Sequence, residues 1–162
     1  MAEFLRPDSN VTQTSYTGGF ADIDEVTASD ADFAFGAINS ATPLLEVGTS
    51  DPASSVPAGT VTVRWRSSKR NGNGAIGGGN NFTGTCALFE GATSRASDAY
   101  TPGNWATREF TVASSSITSF TNLRLRFTQT ASGGNNNSTR SGLAVSWAEI
   151  QLPDATRYIL VT

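Results

Sequence analysis

The sequence predicts an all-β domain, an antiparallel β-sandwich or jelly roll with long Gly/Asn-rich loops and extended termini. Three observations predict it. Short stretches such as "VTVRWR" and "NLRLRF" alternate apolar and polar residues at the period of a strand. Clusters of Gly, Asn, Ser and Pro separate those stretches at fairly regular spacing. Helical periodicity is almost absent. A chain of 162 residues forms one domain by default and can bury a self-sufficient core.

Residues 1–19 mix Pro, Ser, Thr, Asn and Gly with few large apolars and read as an extended N-terminal arm, with Phe4 and Leu5 as anchors. Residues 20–155 read as the sandwich, and residues 156–162 as an apolar C-terminal tail. Within the sandwich, Phe20, Ile23, Phe33 and Phe35 are core candidates on either side of the acidic turn "TASDAD". Leu44, Leu45 and Val47 form a short apolar run before a Pro/Ser loop. In "GTVTVRWRSS", Val61, Val63 and Trp65 fall on one face, with Thr62, Arg64 and Arg66 on the other. "KRNGNGAIGGGNNFTG" reads as a long flexible loop. In "TGTCALFEG", Cys86 and Leu88 share one face while Ala87 and Phe89 share the other, a sign of cover on both sides.

Phe110 and Val112 are in phase in the next strand. "ASSSITSFTN" reads as one helical turn with a serine to cap it. Leu123, Leu125 and Phe127 then alternate with Arg124 and Arg126. In "LAVSWAEIQLP", Leu143, Val145 and Trp147 share one parity, and Ile150 and Leu152 the other. A bulge near Ala148 and Glu149 would reconcile them. Trp65 and Trp147 are the expected centre of the core.

Composition narrows the chemistry. There is no histidine, so the commonest general base and transition-metal ligand is missing. Cys86 is the single cysteine; it has no internal disulfide partner and reads as a small buried side chain. No stretch approaches a membrane-spanning length, and "MAEFLRPDSN" lacks a signal-peptide pattern. Synthesis in a cytoplasm is therefore expected. The net charge of −3 is uneven: residues 1–60 hold nine acids and one base, and residues 61–162 hold five acids and ten bases. The two parts either neutralise each other within the fold or face neighbours in an assembly.

"GNGAIG" matches a dinucleotide fingerprint, but "GGNNFTG" follows it where a helix is required, so no cofactor is expected. Asp22, Asp24, Asp30 and Asp32 are weak candidates for a calcium site, set against a solvated acidic turn. Arg64, Arg66, Arg124 and Arg126 would share one outer face if their strands were neighbours. The interleaved residues on that face are not aromatic, which argues against nucleic acid and for acidic partners in this chain or the next subunit. No catalytic residues emerge.

Several segments together resemble a β-sandwich module of tailed bacteriophage and prophage proteins. They are "FLRP", "GGFADIDE" with "DADF", "VTVRWR", "ITSFTNLRLRF" and "LAVSWAEIQLPDA", spread over residues 3–155. The long "NGNGAIGGGNNFTG" loop and the continuation "TRYILVT" depart from that pattern. The resemblance implies a non-enzymatic virion component, foremost a head decoration (cement) protein on the capsid exterior. Its partners would be the major capsid protein and neighbouring decoration subunits, with homo-oligomers on the lattice compatible, and no membrane. Phe4, Leu5 and Arg6 in the arm, and Tyr158, Ile159, Leu160 and Val161 in the tail, are the candidate partner contacts. The alternative is a carbohydrate-binding or host-recognition module of a tail or fibre, with Tyr100 and Trp105 as its glycan-binding aromatics.

Overall fold

The computed structural model describes residues 2–154. They form two antiparallel sheets packed face to face, the expected β-sandwich. The first sheet runs β3 (Tyr16–Thr17), β4 (Ala34–Gly36), β11 (Ser141–Gln151), β6 (Thr60–Asn71) and β9 (Ala106–Ala113), with β1 (Phe4–Leu5) also pairing with β11. The second runs β2 (Pro7–Thr14), β5 (Leu44–Thr49), β10 (Leu123–Gln129), β7 (Gly84–Glu90) and β8 (Thr93–Tyr100).

The strictest alternations become the central strands. Val61, Val63 and Trp65 of β6 are fully buried, and so are Leu125 and Phe127 of β10 and Cys86 and Leu88 of β7. The Trp65 ring lies 6.0 Å from Phe127 and 5.5 Å, edge-on, from Tyr100. Truncating a large aromatic at such a position costs about 3–5 kcal/mol.

The arginines separate between the sheets. Arg124 and Arg126 lie on the outer face of the second sheet and both reach Glu46, at 3.0 Å and 2.6 Å. The Arg126 guanidinium also stacks over Phe89 at 3.8 Å, which supplies the second-side cover expected for β7. Arg64 and Arg66 lie on the first sheet. Arg66 makes a two-point contact with Asp30, 2.7 Å on each arm, and Arg64 reaches Glu109 and Glu149. Asp30 and Glu46 belong to the acidic first third, so the charge asymmetry is neutralised at these places within the fold.

Three expectations need correction. Residues 4–17 are not an arm outside the sandwich: β1 joins the first sheet, β2 edges the second, and β3 returns to the first. Leu5 is 1% exposed. The bulge of β11 falls between Val145 and Trp147, earlier than expected. The early bulge inverts the phase, so Ala148 and Ile150 point inward and Trp147 turns to the outer face. There its Nε1 donates to Glu25 O at 2.9 Å, under the covering segment 20–33. In place of one helical turn, two 3-10 turns span Ser114–Ser116 and Phe120–Asn122, neither with a side-chain cap.

Candidate functional site

Four loops gather at one end of the sandwich: residues 37–43, 72–83, 101–105 and 130–140. Their backbones bind one another. Gly72 N donates to Asn137 O at 2.8 Å, Asn80 N to Thr139 O at 2.7 Å, and Lys69 N to Gly103 O at 2.8 Å. The expected flexible loop after β6 is tied down at many points. Asn71 Oδ1 accepts from Asn73 N and Ala75 N at 3.0 and 2.9 Å, and its Nδ2 donates to Ser138 O. Lys69, the only lysine, points between the sheets and donates to Gly79 O and Asn81 Oδ1, both at 2.9 Å. Gly77 is required by this packing: its φ is +73°, and a Cβ there would collide with Asn104 Oδ1.

On the outer face at this end, Trp105 is half-buried and meets Phe33 edge-on, with ring centroids 5.8 Å apart. The Arg70 guanidinium lies 5.0 Å from the Phe33 ring and 5.4 Å from the Phe35 ring. By register, Phe35 pairs with Ala144 and Ala144 with Ser68, so all three share one row beside Arg70. Ser68 is fully buried there, with its Oγ unpartnered. The loops at this end expose Asn73, Asn80, Asn104, Asn135 and Asn136. Amides both donate and accept, which suits hydroxyl-rich ligands. The arrangement is an open polar surface beside a half-exposed indole.

The residues singled out from sequence fall in different places. Trp105 is at this end. Tyr100 is not a free aromatic: it packs edge-on against Trp65, and its hydroxyl meets Ser67 Oγ at 2.7 Å. Burial pushes its phenol up. Leu5 is core and so is not available to a partner as expected, while Arg6 pairs with Glu149 at 3.3 Å and stays a quarter exposed. Phe4 remains 37% exposed, with Arg6 over its ring. Tyr158, Ile159, Leu160 and Val161 lie outside the described residues.

Of the four aspartates, Asp30 is drawn away to Arg66 and Ser146. Its carboxyl is held below the usual range by the Arg66 hydrogen bonds. Asp22 and Asp32 come together, and the hydrogen bond between them raises Asp32. Glu25 is raised by burial and then by Asp24, Asp32 and Asp22. Among the described residues, no group of three or more His, Cys, Asp or Glu converges in a way that could hold a metal ion. Arg70, Lys69 and Asn71 were missed as site residues. The available signal was a lone lysine and an arginine abutting a Gly/Asn run.

No family model and no curated protein matches the chain. Among solved structures, the chain is similar to the CBM6cm-2 carbohydrate-binding module of Cellvibrio mixtus lichenase 5A, in complex with cellotriose. That match has 16% identity, covers 94% of this chain and 97% of that one, and has a TM-score of 0.47. The C-terminal CBM6 of LamC, a laminarinase of Zobellia galactanivorans, gives 12% identity, 93% and 98% coverage and a TM-score of 0.49. A family 35 carbohydrate-binding module from an environmental isolate gives 13%, 93% and 92%, and 0.47.

Proposed function

We propose that this chain is a non-catalytic binding module whose ligand is a carbohydrate, held at the loop end around Trp105. The observation that carries the reading is the half-exposed Trp105 indole, fixed by Phe33 at an end of the sandwich where three of the four interlocked loops expose asparagine amides. An indole face covers the apolar face of a sugar ring, and amides satisfy its hydroxyls in both directions. A pre-organised loop set lowers the entropy cost of holding the ligand. A glycan array followed by titration of Trp105→Ala tests this. The expected result is a loss of about tenfold or more in affinity. The melting temperature should barely move, since Trp105 lies outside the main core cluster. An array without hits, or full binding by Trp105→Ala, would overturn the reading.

The virion coat reading rests on a different observation. β2 is an edge strand whose residues 8–14 are all exposed, and an open edge can take a strand from a partner. In that reading the chain binds the major capsid protein on the capsid exterior. Saturable binding to undecorated capsids would support it, and its absence at micromolar concentration would end it.

A further inference from the structure

We infer that the loop end takes an acidic glycan, with Arg70 and Arg140 receiving its carboxylate or sulfate groups. The inference rests on the carbohydrate reading and names the class of sugar. Seven arginines of the described chain each sit in an ion pair with an Asp or Glu of the same chain. Among the described residues, three cations have no such partner: Lys69, Arg70 and Arg140. All three stand at the loop end. Lys69 is turned inward and bound to Gly79 and Asn81.

The two arginines share an arrangement. Arg70 Nε donates to Gly74 O, and Arg140 Nε donates to Gly134 O, each at 3.3 Å. In both, the inner N–H is tied to a backbone carbonyl. The two outer nitrogens have no protein hydrogen bond among the described residues. Phe33 and Phe35 hold the Arg70 plane in addition. A planar fork fixed in this way matches two oxygens of a carboxylate or sulfate, with part of its rotamer entropy already lost.

The two arginines also stand on neighbouring stretches of backbone. Arg70 pairs with Gly142 near the end of the ladder, which closes at Asn71 and Ser141, and Gly72 N donates to Asn137 O at 2.8 Å and to Arg140 O at 3.3 Å, so the backbones that carry the two arginines lie beside each other. Loops 37–43, 72–83, 101–105 and 130–140 contain no Asp or Glu, on a chain whose net charge is −3. The local sign therefore opposes that of the molecule, and an acidic polymer is drawn to this end in particular.

Affinity electrophoresis through polygalacturonate, its fully methyl-esterified form, dextran sulfate and dextran tests the inference. Each neutral polymer keeps the backbone of its acidic counterpart, and the two acidic polymers distinguish carboxylate from sulfate. Retardation is expected from an acidic polymer and not from its neutral counterpart. Arg70→Gln and Arg140→Gln should each weaken it about tenfold. Arg124→Gln, on the opposite sheet, should behave as wild type. Equal retardation by the neutral polymers overturns the acidic class while the carbohydrate reading stands. An equal loss in Arg124→Gln overturns it as net-charge adsorption. No retardation by any of the four polymers overturns it also, whatever the array shows for Trp105. If Arg70→Gln melts early, Arg140→Gln decides, because no aromatic contact depends on it.

Discussion

Glu90 offers a sharp test of how this sandwich is tied together. It ends β7 just before the tight turn at Gly91. Its side chain is only 7% exposed, yet it is bound on every side. Oε1 accepts from the Thr118 hydroxyl, and Oε2 accepts from Thr118 N at 3.0 Å and from Arg95 Nε at 2.9 Å. One carboxylate thus clasps the β7–β8 hairpin to the segment leading into β10. The Thr118 hydroxyl first, then its N–H and Arg95, outweigh burial and lower the Glu90 carboxyl from 4.5 to about 2. A folded value below the unfolded one means stabilisation that is complete above pH 4.5 and lost as pH falls toward 2. At 1.36 kcal/mol per pH unit the ceiling is about 3.4 kcal/mol. Arg95 is a quarter exposed, and solvent screening brings the expectation to about 2 kcal/mol. Urea unfolding of wild type and Glu90→Gln at pH 7, 5, 4 and 3 measures it. The variant should be about 2 kcal/mol less stable at pH 7, or about 4–8 °C in Tm, with the gap closing as pH falls. A gap that stays constant from pH 7 to pH 3 would refute the charged-clasp reasoning.

Three further outcomes follow from the same contacts. Asp32→Asn should raise the melting temperature at pH 7 and have little effect near pH 4, because Asp22 and Asp24 disfavour the ionised form of Asp32. Its folded value lies above the unfolded one, so the wild type gives up stability as pH rises; paired thermal melts check the sign. Lys69→Met should cost about 1–3 kcal/mol by leaving Gly79 O and Asn81 Oδ1 without their donor. It should also speed proteolytic cutting within residues 72–81, read by mass spectrometry. Deleting residues 1–15 should lower stability strongly in denaturant titrations, because it removes β1 and β2 from the two sheets. An unchanged midpoint would show that these strands only decorate the sandwich.

What could be read from the sequence follows from which faces the strands bury. β6 and β10 have one face in the core and one against solvated ion pairs, so Val61, Val63 and Trp65, or Leu125 and Phe127, stand out by alternation. β2 buries almost nothing. It is held by its ladder to β5 and by side-chain bonds such as Asn10 Oδ1 to Phe20 N and Gln13 Nε2 to Gly18 O. A strand with two wet faces leaves no period-two signal, which is why residues 7–14 read as an arm. β11 fails for the opposite reason. It is buried on both faces from Ser141 to Ile150, so apolar residues of either parity are tolerated. The position of its bulge is then set by tertiary contacts, including Ala148 N to Ile23 O, and not by pattern. The site divides in the same way. Trp105 could be named because a tryptophan in a short Pro/Gly loop is conspicuous. Arg70 and Arg140 could not, because a cation becomes informative only when the carboxylates around it are known. The pairing of Arg66 with Asp30, and of Arg124 and Arg126 with Glu46, spans the chain from residue 30 to residue 126. Only after those pairs are drawn do the arginines at the loop end stand out as unmatched.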